Sequence, residues 1–105
     1  MSKDNNRLLL QLEQAIRELN QEAINPVLPE LSLAGLKPVM AMVAKTRAIY
    51  LQELFGLARS GETDVPDAGQ IEKLRTLRQT YEEMVAGTQA IETAIQRGYL
   101  DVKPD

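Results

Sequence analysis

Arg47 is the residue whose type and position most directly suggest chemistry. Successive residues lie about 100° apart around a helix, and this spacing places Arg47 within one apolar stripe: Leu36, Met40, Val43, Tyr50, Leu51, Leu54 and Leu57. One interpretation is that the stem of Arg47 packs on these neighbours while its guanidinium reaches solvent. Another is an ion pair with Glu13 or Glu82, the carboxylates expected at the same level of the fold, because an unpaired buried charge is costly.

An anion-binding site is the third interpretation of this region. Arginine binds carboxylates and other planar oxyanions through two parallel hydrogen bonds, and Tyr50 and Tyr81 would complete such a site with Arg47. A small-anion or ligand-binding protein is therefore one alternative function. No phosphate-binding loop or calcium loop accompanies these residues in the sequence, and no pair of carboxylates lies in a predictable cleft.

The composition excludes several classes of site. The sequence has no cysteine and no histidine, which removes disulfides, thiolate ligands, the commonest metal ligand and the usual base at neutral pH. Zinc fingers, Cys-His proteases and His-containing triads are therefore excluded. We expect a protein that is not an enzyme, with no catalytic residue, no cofactor and no metal.

Charge and hydropathy argue against nucleic acid and membranes as partners. The net charge of −3 disfavours binding to phosphates. No run approaches the about 18 uninterrupted apolar residues of a membrane span. Near the first residue only Leu8, Leu9 and Leu10 are consecutive apolar residues, which is too few for the core of a signal peptide. We therefore expect a cytoplasmic protein.

The first helix is predicted over residues 5–24, with Asp4 or Asn5 as its N-cap. Its apolar stripe comprises Leu8, Leu9, Leu12, Ala15, Ile16, Leu19 and Ala23, at the spacing of one helix face. Pro26 ends this helix. The apolar connector that follows is predicted to form a short helical turn, with Asn25 as its cap and Pro26 in its first position.

Two longer helices are predicted to follow. The second covers residues 35–60, with Pro38 tolerable only in its first turn and Gly61 as a left-handed cap. The third covers residues 67–98, and Asp67 with Gln70 matches a capping box, although Asp64 before Pro66 is an equally good boundary. Gly98 is expected to end the third helix, and residues 101–105 are expected to fray.

These elements predict an all-α fold, an antiparallel three-helix bundle in one domain spanning residues 1–105, because short loops between long amphipathic helices favour antiparallel neighbours. The third helix carries a stripe of Ile71, Leu74, Leu77, Tyr81, Met84, Val85, Thr88, Ile91, Ile95 and Tyr99. Val27, Leu28 and Leu31 are expected to cover one end of the core, over Ile95, Tyr99 and Leu100. The opposite end, around Phe55, is expected to be barer.

Surface residues point to a partner. Met42 and Ile49 lie opposite the main stripe of the second helix, and Ala86, Gly87, Ala90 and Ala94 form a strip of small residues on the third. We expect a helical protein–protein interaction module that forms a homodimer, with Met42, Ile49, Leu57 or Phe55 as apolar anchors. The alternative interaction role is a small secretion-type or flagellar-type chaperone that binds an amphipathic helix of its partner.

Overall fold

Three long helices form the fold. The computed structural model describes residues 2–28, 30–59 and 65–104. Within these residues the helices are α1 (Lys3–Ile24), α2 (Leu33–Arg59) and α3 (Ala68–Gln96), with no strand beyond one isolated bridge. The prediction of an all-α fold with three helices is confirmed. The antiparallel arrangement stays a prediction.

The chain divides into two compact units. One comprises residues 1–36 and 90–105, and the other comprises residues 37–89. The first unit therefore holds α1 and the C-terminal segment, while the second holds most of α2 and α3. The assignment of one domain to the whole chain stays a prediction.

Helix α1 begins earlier than predicted. The Ser2 hydroxyl accepts a hydrogen bond of 3.1 Å from the backbone N–H of Asn5, which makes Ser2 the N-cap. The expectation of Asp4 or Asn5 in that position is wrong, because the Ser2 hydroxyl and carbonyl already accept from the N–H groups of Asn5 and Asn6 and so start the helix earlier. Asp4 lies instead in the first turn, where its negative charge interacts favourably with the positive end of the helix dipole.

The connector after α1 also differs from the prediction. Asn25 is the C-cap of α1, and its N–H donates to the carbonyl of Gln21 at 3.0 Å. The N–H groups of Val27 and Leu28 both donate to the carbonyl of Ile24 at 3.0 Å. Residues 25–28 therefore form turns on the end of α1 and not a separate helix, because the last carbonyls of α1 take the N–H groups that follow Pro26.

Helix α2 begins at Leu33, two residues before the predicted start. The Ser32 hydroxyl accepts from the N–H of Gly35 at 3.1 Å, and its carbonyl accepts from Leu36 at 3.0 Å. This cap places Pro38 in the second turn of the helix, so the expectation that Pro38 lies in the first turn is wrong. The predicted cap at Gly61 lies outside the described residues.

Both predicted ends of α3 have clear signals in the structure. The N–H of Gln70 donates to Asp67 Oδ1 at 2.8 Å, and the N–H of Asp67 donates to Gln70 Oε1 at 2.9 Å, which confirms the capping box. At the other end Gly98 has a φ of 71°. The N–H of Tyr99 donates to Ala94 O at 2.8 Å and that of Gly98 to Ile95 O at 3.2 Å, the pattern of a Schellman cap.

The segment after Gly98 is paired rather than frayed. The Leu31 N–H donates to the carbonyl of Asp101 at 2.9 Å, and the Lys103 N–H donates to the carbonyl of Leu31 at 2.8 Å. These bonds form a parallel bridge between Leu31 and Val102. The expectation that residues 101–103 fray is therefore wrong, because the connector offers them a backbone partner.

Few side chains are fully enclosed. Among the described residues the buried apolar ones are Val43 and Leu100. Val27 and Leu28 are 74% and 45% exposed, so the prediction that they cover one end of the core is wrong. Leu31 is half-buried, because its backbone is the part of the connector that pairs with the C-terminal segment.

Candidate interaction surfaces

Helix α1 forms two side-chain hydrogen bonds with the rest of its unit. Arg17 Nε donates to the carbonyl of Arg97 at 3.3 Å, and Gln21 Nε2 donates to the carbonyl of Gly98 at 2.8 Å. Both acceptors lie at the C-terminal end of α3, where carbonyls lack partners within the helix and a cation complements the dipole. The residues of α1 that are half-buried are Asn20, Gln21 and Ile24, which lie on the same side of the helix as Arg17.

The apolar stripe of α1 faces solvent as a result. No residue of α1 is buried, and Leu8, Leu12 and Leu19 are 63%, 51% and 63% exposed. At about 100° per residue, the middle of this stripe lies nearly half a turn from Arg17 and Gln21. An amphipathic helix in a soluble protein normally buries its apolar side. The unit that contains α1 leaves this side uncovered.

Arg47 binds a tyrosine and not a carboxylate. Its Nε donates to the Tyr81 hydroxyl at 3.2 Å, and its guanidinium carbon lies 5.3 Å from the centre of the Tyr81 ring. The Tyr81 ring stacks in turn on Tyr50, with 6.2 Å between ring centres and 15° between planes. The three predicted site residues Arg47, Tyr50 and Tyr81 are therefore brought together. Within the described residues of this unit, Arg47 has no ion pair with Glu82, and a pair with Glu13 stays a prediction.

The exposure of Arg47 follows from the side on which α2 packs. Within residues 37–59 of α2, the buried or half-buried side chains are those of Val39, Val43, Thr46, Tyr50, Glu53 and Leu57. Arg47 is exposed, as are Met40 and Leu54 at 47% and 42%. The packed side is therefore turned by roughly 60° from the middle of the apolar stripe. Arg47 lies at its edge, in agreement with the interpretation that its head group reaches solvent.

Two further cationic side chains line a shallow groove beside Tyr50. Its volume is about 270 Å³, and its lining is Tyr50, Ile71, Leu74, Arg75 and Arg78. Arg75 pairs with Glu72 on the same helix, and Arg78 Nε lies 3.5 Å from Glu82 Oε1. Because both arginines have carboxylate partners, the groove offers little positive charge to an anion.

The second unit also contains an ion pair that was not predicted from the sequence. Lys73 Nζ lies 3.4 Å from Glu53 Oε2, and the Glu53 side chain is only 24% exposed. Glu53 occupies a half-buried position on the packed side of α2. This pair links α2 to α3, and its partial exposure gives it a modest contribution to stability.

The other predicted binding residues lie apart from the Arg47 group on α2. Met42 and Ile49 are 51% and 49% exposed, and Phe55 is 59% exposed. These three side chains are accessible to a partner, as an anchor role requires. Leu57 is half-buried, which makes it a poor anchor.

The small-residue strip of α3 is open. Ala86, Gly87 and Ala90 are exposed, while Ala94 is half-buried. A Cβ added at Gly87 or at Gly56 would meet no atom within 4 Å. The described residues therefore leave room for a side chain at either position.

The α1 surface is the feature that sequence reasoning missed. Its apolar stripe is evident in the sequence, but a bundle predicts that this stripe lies in the core. Spacings of four, three and four residues link Leu8, Leu12, Ala15 and Leu19. This spacing is typical of helices that pair with another helix, and it was the signal available from the sequence.

Two further classes of site are absent from the described residues. The described residues contain no group of three acidic side chains placed to hold a metal ion. None of their helices combines the length and the apolar character that a membrane crossing requires.

Comparisons with known proteins add no functional assignment. No protein-family model matches the chain, and neither a curated protein nor a solved structure is significantly similar to it.

Proposed function

We propose that this chain is a non-enzymatic helical interaction module that self-associates and buries its exposed apolar helix faces on a second copy. The observation that carries the proposal is that large apolar side chains along α1 and α2 lie exposed among the described residues.

The chemical nature of the surface supports the same proposal. Leu8, Leu12 and Leu19 on α1 and Met42 and Ile49 on α2 are each about half exposed or more. Fully burying one leucine side chain contributes roughly 1.5–3 kcal/mol. Covering even the three leucines on two copies therefore contributes several kcal/mol toward association.

The alternative of an anion-binding protein has less support. Arg47 donates to Tyr81, and Arg75 and Arg78 pair with carboxylates. The cations near the tyrosines therefore already have partners. The chaperone alternative requires a groove that binds a helix of another protein. The exposed faces of α1 and α2 are also available to a second copy of this chain.

Sedimentation equilibrium over a range of loading concentrations tests the proposal. We expect a mass of twice 11.7 kDa at micromolar concentration, with dissociation only on dilution. A chain that stays monomeric at hundreds of micromolar would refute it. A titration with inorganic phosphate, followed by tyrosine fluorescence, tests the anion alternative. That alternative requires phosphate to change the fluorescence.

A further inference from the structure

We propose that the α1 seam, defined as Leu8, Leu12, Ala15 and Leu19, packs on the same seam of a second copy with the two α1 helices antiparallel. This inference rests on the proposed self-association and specifies the surface and the orientation. All four seam residues are exposed in the single chain, the three leucines by half or more.

The spacing of the seam suits helix-to-helix packing. Steps of four, three and four residues average about 3.5, the repeat of helices that pair side by side. In an antiparallel pair centred between residues 13 and 14, Leu8 lies opposite Leu19 of the second copy and Leu12 lies opposite its Ala15. Each layer then combines either two leucines or a large with a small residue. Leu9 and Ile16, which are 46% and 37% exposed, widen one flank of the contact.

The seam is accessible without any change in the unit that contains α1. Arg17 and Gln21 bind the end of α3 from the opposite side of α1, nearly half a turn away from the middle of the seam. A second copy therefore docks on the seam while both hydrogen bonds stay in place.

Charge complementarity favours the antiparallel orientation. Arg7 lies in the N-terminal half of α1, and Glu18 and Glu22 lie in its C-terminal half. Within the described residues, neither Arg7 nor Glu22 has an ion-pair partner. In this antiparallel register Arg7 lies on the same flank as Glu22 of the second copy and two residues from its level, within reach of two long side chains, twice by symmetry. Parallel pairing places Glu22 opposite Glu22 and also aligns the helix dipoles unfavourably.

A pair of leucine substitutions tests the surface. Leu12→Glu places a charge in the seam of both copies, and we expect the dissociation constant measured by sedimentation to rise about a hundredfold or more. Leu10→Glu is the matched control, because Leu10 is 67% exposed but lies on the far side of α1 from the seam. We expect Leu10→Glu to change the dissociation constant by less than about threefold.

Cysteine pairs test the orientation and stay informative if Leu12→Glu does not fold. The sequence has no cysteine, so Gln11→Cys and Glu18→Cys each introduce a single thiol beside the seam. The antiparallel register places residue 11 of one copy next to residue 18 of the other. We expect a short bis-maleimide to link an equimolar mixture of the two variants, and to link neither variant alone.

The outcomes separate the inference from the function on which it rests. A wild-type chain that is monomeric refutes both. A wild-type dimer that Leu12→Glu leaves intact, or that Leu10→Glu weakens equally, overturns the α1 seam and leaves self-association standing. Cross-linking of Gln11→Cys or Glu18→Cys alone, or no cross-linking of the mixture, overturns the antiparallel orientation.

Discussion

Replacing Gln21 by alanine tests whether α1 is held by its polar side. Gln21 Nε2 donates a 2.8 Å hydrogen bond to the carbonyl of Gly98, and the contact is partly buried. A hydrogen bond of this kind contributes roughly 0.5–1.5 kcal/mol, and leaving a buried acceptor without its donor raises the cost. We therefore expect Gln21→Ala to lower the free energy of unfolding by about 1 kcal/mol more than its control does.

The chain offers a matched control in the same helix. Gln14 Nε2 donates to Glu18 Oε1 at 3.1 Å on the exposed surface of α1, and such a pair contributes roughly 0.2–0.5 kcal/mol. Gln14→Ala makes the same chemical change and brings the same small gain in helix propensity. The difference between the two variants therefore isolates the contact between Gln21 and Gly98.

Urea unfolding followed by far-ultraviolet circular dichroism measures this difference. Both variants are compared at one protein concentration, because association stabilises the folded chain by mass action. A difference of 1 kcal/mol corresponds to a change in Tm of about 4 °C for a chain of this size. Equal stabilities of Gln21→Ala and Gln14→Ala would refute the reasoning. The hydrogen bond from Gln21 to Gly98 would then contribute nothing to the stability of the folded chain.

Three further substitutions probe single positions. Arg47→Met is expected to change the free energy of unfolding by less than about 1 kcal/mol, because Arg47 is exposed and its contact with Tyr81 is a surface one. A loss of several kcal/mol in urea unfolding would contradict this. Gly87→Ala is expected to raise stability by about 1 kcal/mol through helix propensity, since an added Cβ meets no atom within 4 Å. A lower Tm would mean that a partner approaches there. Gly98→Ala is expected to lower stability by roughly 1 kcal/mol, because φ is 71° at that position. Unchanged thermal unfolding would show that the cap relaxes without cost.

The ends of the helices depend mostly on signals within a few residues. Asp67 and Gln70 form the capping box that their spacing predicts, and Gly98 ends α3 in a left-handed conformation. These features were predictable because a cap satisfies N–H and carbonyl groups with partners three to five residues away. Helices α1 and α2 each begin two residues before the predicted start, because Ser2 and Ser32 are equally good local caps.

The covered side of each helix depends on the tertiary structure. The spacing of apolar residues is enough to show that α1 is amphipathic and that Arg47 shares a stripe with apolar residues. It does not show that α1 docks through Arg17 and Gln21, or that Arg47 lies at the edge of the packed side of α2. A hydrophobic pattern indicates which side of a helix gains from burial. It does not indicate which partner covers that side, because the partner depends on contacts between residues far apart in the chain, such as Gln21 with Gly98.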